Sequence, residues 1–290
     1  MKQIVIFLIL FLSSNYLFSQ TTENVVHGHT YGSFEVGDTS FTLVSDANIR
    51  DKAATTGAVV AKLAIGTPIK VEKVTTDSLT LKGVRAPWYQ VSFSADNRKK
   101  TGYIWGGFIA SVFYADTDYS NNDVYLYLGG IAAFDEKNYK LTTQLRVAKN
   151  GQQVATLEFP TCGDLSYHGS LEMHTNNNLD NVRQTLTYGS VYEACDYANG
   201  NYLIFLMKNG QLQKVMETIS SSGAGTGYDA STYILPTQRG GIGNHILLSE
   251  DSAEMEEKGN DFRIKNQKYK ISLWKWNGAK LVKEIGRAHV

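Results

Sequence analysis

Two cysteines, Cys162 and Cys195, carry the most reactive side chains of the sequence. A cysteine nucleophile needs a thiolate at the start of a helix, with a histidine base in reach to lower its pKa. No pattern of helical period follows Cys162. The histidines that could serve it lie in no recognisable base motif; they are His168, His174 and His245. The sequence therefore predicts structural thiols, either joined in one disulfide or buried separately.

Three other motifs bring potential ligand groups together. His27 and His29 flank a glycine, but two histidines without a carboxylate or thiolate favour a solvated tail over a metal site. The acidic run 250–257 lacks the Asp-x-Asp-x-Asp-Gly spacing that wraps Ca²⁺, so it predicts a solvated loop or a short exposed helix. The glycines of 223–227 lack the Lys-Ser/Thr of a phosphate loop and predict a flexible loop. We expect no metal and no cofactor.

Composition and the N-terminal residues restrict partners and location. Lysine plus arginine and aspartate plus glutamate each total 28, so the net charge is zero and nucleic acid is not an expected partner. Residues 1–19 hold one charge, Lys2, and an apolar run from Ile4 to Leu12 that is too short to span a bilayer. This pattern predicts a secretory signal, with a membrane anchor as the alternative. We expect an exported protein (periplasmic, secreted or at the cell surface) with no membrane span in its mature form.

Short alternating stretches predict an all-β domain over residues 41–111, after an extended lead-in over 20–40. The stretch from Trp88 to Phe93 has period two, and Gly102-Tyr103-Ile104-Trp105 returns after a polar hairpin loop. Five short strands in about seventy residues predict a small barrel, which removes exposed sheet edges by closing on itself. A long loop from Thr75 to Pro87 interrupts the pattern.

This segment resembles the bacterial SH3 domain. That family typically reads Asn-Val-Arg, a glycine-bearing distal strand, a Leu-x-x-Gly break, Trp-x-x-Val and a closing Gly-Tyr/Trp-Val. The matching residues, in the same order, are Asn48-Ile49-Arg50, Gly57 with Val59-Val60, Leu63 with Gly66, Trp88 with Val91, and Gly102-Tyr103-Ile104 with Phe108-Ile109. The resemblance implies that the partner is a peptide, a peptidoglycan fragment or a protein.

Aromatic side chains of this barrel are the candidate ligand contacts, because rigid rings with a polar tip lose little entropy when they are ordered. We assign Trp88 and Val91 to the core, which requires a bulge because strict alternation puts them on opposite faces. The candidate binding residues are Tyr89, Tyr103 and Trp105, with core packing as the competing role for Tyr103 and Trp105.

A polar, aperiodic stretch over residues 112–122 predicts a linker, and residues 123–283 predict a larger antiparallel β domain. Asn-Gly pairs supply the two positive φ values of a type I′ turn. Such pairs predict hairpins at Asn150, Asn209 and Asn277, and a fourth turn at Asn199-Gly200.

Tyr202–Met207 lies between the turns predicted at Asn199-Gly200 and Asn209-Gly210, so it becomes the middle strand of a meander. Its apolar content fits burial on both faces. The loose repeat favours a propeller-like architecture, with a β-sandwich as the alternative. The domain is also similar to the C-terminal parts of uncharacterised secreted proteins of the Bacteroidetes, a likeness that implies no activity. Residues 284–290 resemble a translated sequencing adapter, with a genuine polar C-terminus as the alternative.

These features predict a non-catalytic exported binding protein. Bacterial SH3 domains often accompany NlpC-type wall peptidases, so a divergent cell-wall hydrolase that uses Cys162 is one alternative. That family's Asp-Cys-Ser-Gly motif is replaced here by Thr161-Cys162-Gly163-Asp164. A lectin-like, carbohydrate-binding role for residues 123–283 is the other alternative.

Overall fold

The computed structural model describes residues 24–30, 33–118, 123–163, 168–192, 196–223, 227–258 and 261–284. Within these ranges the chain forms antiparallel β-strands and a single 3-10 turn at Gly106–Phe108, so the all-β prediction is confirmed. None of the described residues forms a helix with the length and apolar content needed to cross a membrane. The predicted signal over 1–19 lies outside the described residues.

A six-stranded sheet surrounds the first core, and we call this unit the barrel. Its strands, in spatial order, are β2 (Thr39–Phe41), β5 (Pro68–Leu81), β6 (Val84–Ala95), β7 (Arg98–Trp105), β3 (Ala47–Arg50) and β4 (Val59–Leu63). Every second residue of a strand points to the same face, and the inner face of β6 places Tyr89, Val91 and Phe93 in this core. The lead-in contributes Phe34, which is also buried there.

The stretch from Thr75 to Pro87 is not a loop, as the sequence suggested, but the distal half of the β5–β6 hairpin. The chain turns at Lys82 and Gly83, whose φ angles are +49° and +76°. The hairpin tip is anchored on a neighbouring strand, because the Phe134 amide donates a 3.0 Å hydrogen bond to the Lys82 carbonyl.

The next sheet has four strands. Their spatial order is β11 (Gln152–Thr161), β10 (Lys140–Lys149), β9 (Asp123–Asp135) and β8 (Val112–Asp118). Most of the predicted linker is therefore a strand, because β8 pairs with β9 from Val112 to Asp118. The Asn150-Gly151 hairpin is confirmed, with positive φ at both residues.

The third sheet has nine strands. Their order is β1 (Asn24–Thr30), β12 (His168–His174), β13 (Val182–Tyr192), β14 (Asp196–Met207), β15 (Leu212–Gly223), β16 (Gly227–Ile234), β17 (His245–Lys258), β18 (Asp261–Trp276) and β19 (Leu281–Glu284). Apart from β1, every strand pairs with its neighbour in sequence. Residues 24–30 of the predicted lead-in thus form the edge strand beside β12.

This sheet curls back on itself. The indole N–H of Trp276, on β18, donates a 2.8 Å hydrogen bond to the carbonyl of Asp180, just before β13. Tyr233 of β16 reaches across two strands, so that its hydroxyl lies 2.7 Å from Oγ1 of Thr187 on β13. The other side of this sheet packs on the four-stranded sheet, where Phe159 contacts Tyr188 and Tyr202, so residues 123–283 form packed sheets, as in a sandwich, and not the separate sheets of a propeller.

A shared core joins the three sheets, and β14 shows how. Tyr202, Ile204 and Leu206 face the four-stranded sheet, while the alternate residues fill the inside of the curl; these are Leu203, Phe205 and Met207. The predicted burial of this strand on both faces is confirmed. The shared core also takes Trp88 and Trp105 from the barrel.

Three Asn-Gly predictions for this sheet have different outcomes. Asn209-Gly210 and Asn277-Gly278 lie in the β14–β15 and β18–β19 turns, although positive φ occurs at the glycine of each pair and not at the asparagine. Asn199-Gly200 is not a turn, because both residues lie inside β14. A Cβ at Gly200 would lie 2.6 Å from the Tyr202 hydroxyl and 2.8 Å from Cys162 Sγ, so close packing explains this glycine.

Candidate binding groove

The barrel aromatics proposed as ligand contacts lie mostly in the interior. Tyr89 is fully buried, stacks edge-on against Phe34 at 5.5 Å and accepts a hydrogen bond from the Phe34 amide. Trp105 is 5% exposed, and its indole N–H donates to the Leu79 and Ala86 carbonyls. Tyr103 is half-buried and reaches the surface. Two of the three rings therefore have packing partners where a ligand contact was predicted.

The bulge expected between Trp88 and Val91 is not in β6: where the β5–β6 register shifts, near Val91 and again near Trp88, the extra residues belong to β5. The β6–β7 register runs without interruption from Trp88↔Trp105 to Ala95↔Arg98. Both residues are buried because β6 is covered on both faces: Trp88 packs in the shared core and Val91 in the barrel core. Alternation within residues 41–111 predicts one buried face for β6, and the second is buried by sheets that follow later in the chain.

Cys162 is half-buried. Its sulfur lies 3.1 Å from the Ser190 hydroxyl, and its backbone N–H donates to the Tyr202 hydroxyl at 2.6 Å. Burial, together with any negative charge on Cys162, raises the pKa of Tyr202, so the phenol stays protonated. Cys195 lies outside the described residues, and its pairing with Cys162 stays a prediction.

The two histidines whose side chains the structure describes have hydrogen-bond partners of their own. His174 Nε2 lies 3.0 Å from Thr187 Oγ1, and His245 Nδ1 lies 2.7 Å from the Gly243 carbonyl. The side chains of His27, His29 and His168 lie outside the described residues. Within the described part of the chain, no three His, Cys, Asp or Glu side chains are grouped so that they could hold a metal ion.

The acidic run 250–257 is a strand and not a loop or a helix. It forms the distal part of β17, and a basic stretch of β18 pairs with it: Glu250 stands opposite Lys270, and Glu254 opposite Lys265. Opposite charges on facing residues stabilise an antiparallel pair. We call residues 249–256 and 263–272 the ribbon. The sequence carries a pattern that could have predicted the ribbon: an acidic run, then Gly259-Asn260, then a stretch with several lysines.

Between the ribbon and the ends of β15 and β16 lies a polar groove. It consists of two adjoining cavities of about 490 and 310 Å³ that share Asp229, Ser252 and Lys268 as lining residues. Further carboxylate and ammonium groups come from Glu250 and Lys270. The groove therefore presents both charge signs and a hydroxyl within one concave surface.

Gly227 allows the groove to form. Its φ is +139°, and a Cβ there would lie 2.2 Å from the Ala253 carbonyl oxygen. A residue with a side chain would push β16 away from β17 at the point where the two strands border the groove. Residues 224–226 of the predicted glycine loop lie outside the described residues, whereas Gly227 belongs to β16.

The side chain of Tyr228 lies on the face of the sheet opposite to Asp229, Ser252 and Lys268, because it contacts residues that alternate with them. The Tyr228 hydroxyl donates to Asp251 Oδ2 at 3.2 Å and accepts from the Gln267 amide at 3.1 Å. Burial is the main cause that raises the pKa of Tyr228, and the Asp251 carboxylate raises it further. The carboxylates of the groove accept hydrogen bonds, and its lysines, its serine hydroxyls and the Asn266 amide donate them. This mixture suits a ligand with many hydroxyl and amide groups.

Comparison with known proteins found no match for this chain among protein-family models, curated proteins or solved structures.

Proposed function

We propose that this protein is a non-catalytic, exported binding protein that holds a cell-wall glycan fragment in the polar groove of its nine-stranded sheet. The observation that carries the proposal is the grouping of Asp229, Ser252 and Lys268 along both cavities. A glycan strand that bears hydroxyl, acetamido and carboxylate groups can exchange hydrogen bonds with such a lining. The resemblance of residues 41–111 to bacterial SH3 domains supports the same ligand class.

The barrel has a secondary role in this proposal. Its buried rings stabilise the shared core, and Tyr103 is the predicted ligand residue that remains at the surface. The principal recognition surface therefore belongs to the second half of the chain, where the sequence analysis had expected an additional interaction surface or a lectin-like role.

The proposal is tested by retention of the full chain on purified peptidoglycan. We expect the double variant Asp229→Ala/Lys268→Ala to lower the affinity roughly tenfold, because charged hydrogen-bonding groups are removed from the ligand site. The matched control is Asp77→Ala/Lys62→Ala, which removes one exposed charge of each sign from the barrel. Equal retention of the groove variant and the wild-type chain would contradict the proposal.

The rival function, a wall hydrolase, predicts a different result in the same assay. Soluble peptidoglycan fragments would accumulate with time, and their release would stop in Cys162→Ala. The contacts of Cys162 with Ser190 and Tyr202 give the thiol structural partners, so we expect no such release.

A further inference from the structure

β18 has a long backbone edge with no partner strand among the described residues. One side of β18 pairs with β17 as far as Asp261. On the other side, β19 pairs with β18 from Leu273 to Trp276. The backbone N–H and C=O groups of residues 261–272 on that side are therefore open to another strand.

A bulge divides this edge and leaves one regular segment. Asn266 has a φ of +53°, and the β17–β18 register shifts between Ser252 and Glu254. Bulges twist an edge and interrupt pairing. Residues 268–272 lie beyond the bulge and pair in regular register from Lys268 to Ser272, so this five-residue segment is the part of the edge that can accept a strand.

The two faces of this segment differ in chemistry. Lys268 and Lys270 stand opposite Ser252 and Glu250 and line the groove. On the other face, the side chains of Tyr269 and Ile271 are 64% and 52% exposed. A strand that paired here would meet cations on one face and two large apolar side chains on the other.

We propose that residues 268–272 bind an extended segment of a partner protein by strand addition, and that acidic and apolar residues alternate in that segment. Lys268 selects for acidic residues, because β17 places a serine and not a carboxylate directly opposite it. Lys270 is paired with Glu250 at an exposed position, where a second carboxylate remains attracted. Tyr269 and Ile271 bury their apolar surface against the alternate residues of the partner.

The same charges disfavour a second copy of this chain as the occupant. A continuous sheet across a two-fold axis would place Lys268 and Lys270 of both copies side by side on one face. Like charges at facing positions destabilise an antiparallel pair. The lysines thus exclude self-association while they attract an acidic strand.

This surface lies beside the glycan groove but is tested through the opposite face of β18. The probe is a fluorescent peptide of alternating glutamate and valine, titrated against the full chain by fluorescence anisotropy. We expect binding that weakens as salt is raised, and at least tenfold weaker binding of a lysine–valine peptide. Methylation of alternate backbone nitrogens in the acidic peptide should lower its affinity at least tenfold, because strand addition needs those N–H groups.

Variants of the chain test the apolar face. Ile271→Glu should weaken peptide binding roughly tenfold and leave peptidoglycan retention unchanged, because Ile271 does not line the groove. The control Ile242→Glu makes the same change at a 47% exposed position outside the ribbon. The N-methylated peptide leaves the protein unaltered, so the proposal can still fail if Ile271→Glu does not fold.

Three outcomes would overturn the proposal. The first is equal affinity for the acidic peptide and its N-methylated form. The second is concentration-dependent dimerisation that Ile271→Glu abolishes, which would assign the edge to a second copy. The third is peptide binding seen only in a variant that ends at Glu284, which would assign the edge to the residues that follow β19.

Discussion

The strands of the barrel and of the ribbon both alternate in side-chain character, but the barrel buries its aromatic side chains whereas the ribbon exposes its charged and apolar ones. In the barrel, β6 is buried on both faces, and its aromatic residues fill two cores. In the ribbon, β18 is exposed on both faces, and its lysines and apolar residues meet solvent. Where neighbouring sheets cover a strand, as they cover β6, its aromatic residues therefore pack in a core and do not form a binding surface. Side chains that are free to contact a ligand lie where a strand extends beyond its neighbour, as β18 extends beyond β19.

The largest test of this contrast compares Trp105→Ala with Tyr269→Ala. Loss of the Trp105 ring leaves a cavity in the shared core and removes two hydrogen bonds, so we expect a loss of about 3–5 kcal/mol in unfolding free energy. Tyr269 is 64% exposed, and its variant should lie within about 0.5 kcal/mol of wild type. Urea denaturation measures both. Similar losses would show that the ribbon is as deeply integrated as the barrel.

A second, smaller effect concerns the hairpin tip that anchors the barrel. A Cβ at Gly83 would lie 1.8 Å from the Phe134 carbonyl oxygen, whereas nothing lies within 4 Å of a Cβ at Gly210. Both glycines have positive φ, so Gly210→Ala measures backbone strain alone, about 1 kcal/mol. We expect Gly83→Ala to lose at least about 2 kcal/mol in unfolding free energy. Equal losses of unfolding free energy in the two variants would mean that the hairpin tip moves away from Phe134 without an energetic cost.

The third test uses alkaline pH to probe burial at Tyr127. Burial, followed by the nearby charge of Asp116, raises the pKa of this phenol above its ordinary value. In the unfolded chain the phenol ionises near its ordinary pKa of about 10, so stability from this group is complete below that pH and is lost as the pH rises further. Tyr127→Phe should make the decline shallower by about 1 kcal/mol per pH unit. An unchanged slope would contradict this.

The smallest effect is expected from the charge pairs of the ribbon. Glu250 and Lys270 are both substantially exposed, and exposed ion pairs contribute little. A double-mutant cycle with Glu250→Ala and Lys270→Ala should give a coupling of about 0.5 kcal/mol or less, which decreases at high salt. A coupling above about 2 kcal/mol would mean that the ribbon depends on these charges for its structure.

Local sequence was sufficient where neighbouring residues determine the structure. The apolar run Tyr202–Met207 predicted a strand buried on both faces, and Asn150-Gly151 predicted its hairpin. Both features depend on the residues themselves: apolar side chains leave water, and asparagine with glycine accepts positive φ.

The remaining features depend on residues distant in the chain. The turn predicted at Asn199-Gly200 failed because contacts from Cys162 and Tyr202 require a glycine inside a strand. The acidic run alone predicts a solvated loop or a short exposed helix, because its partner lysines follow only after the next turn. Residues of four strands, β15 to β18, line the groove, so the sequence of one strand alone cannot predict it.

The place of β1 in the sheet has a consequence for folding. β1 adds to β12, a strand more than a hundred positions later in the chain, and Gly28 fits where a Cβ would clash with Ser111, Val112 and Gly169. Pairing between such distant segments slows folding, because a long loop must close before any contact rewards it. Of the described strands, β1 leaves the ribosome first and is among the last that can dock, so refolding should show a late phase in which β1 pairs with β12.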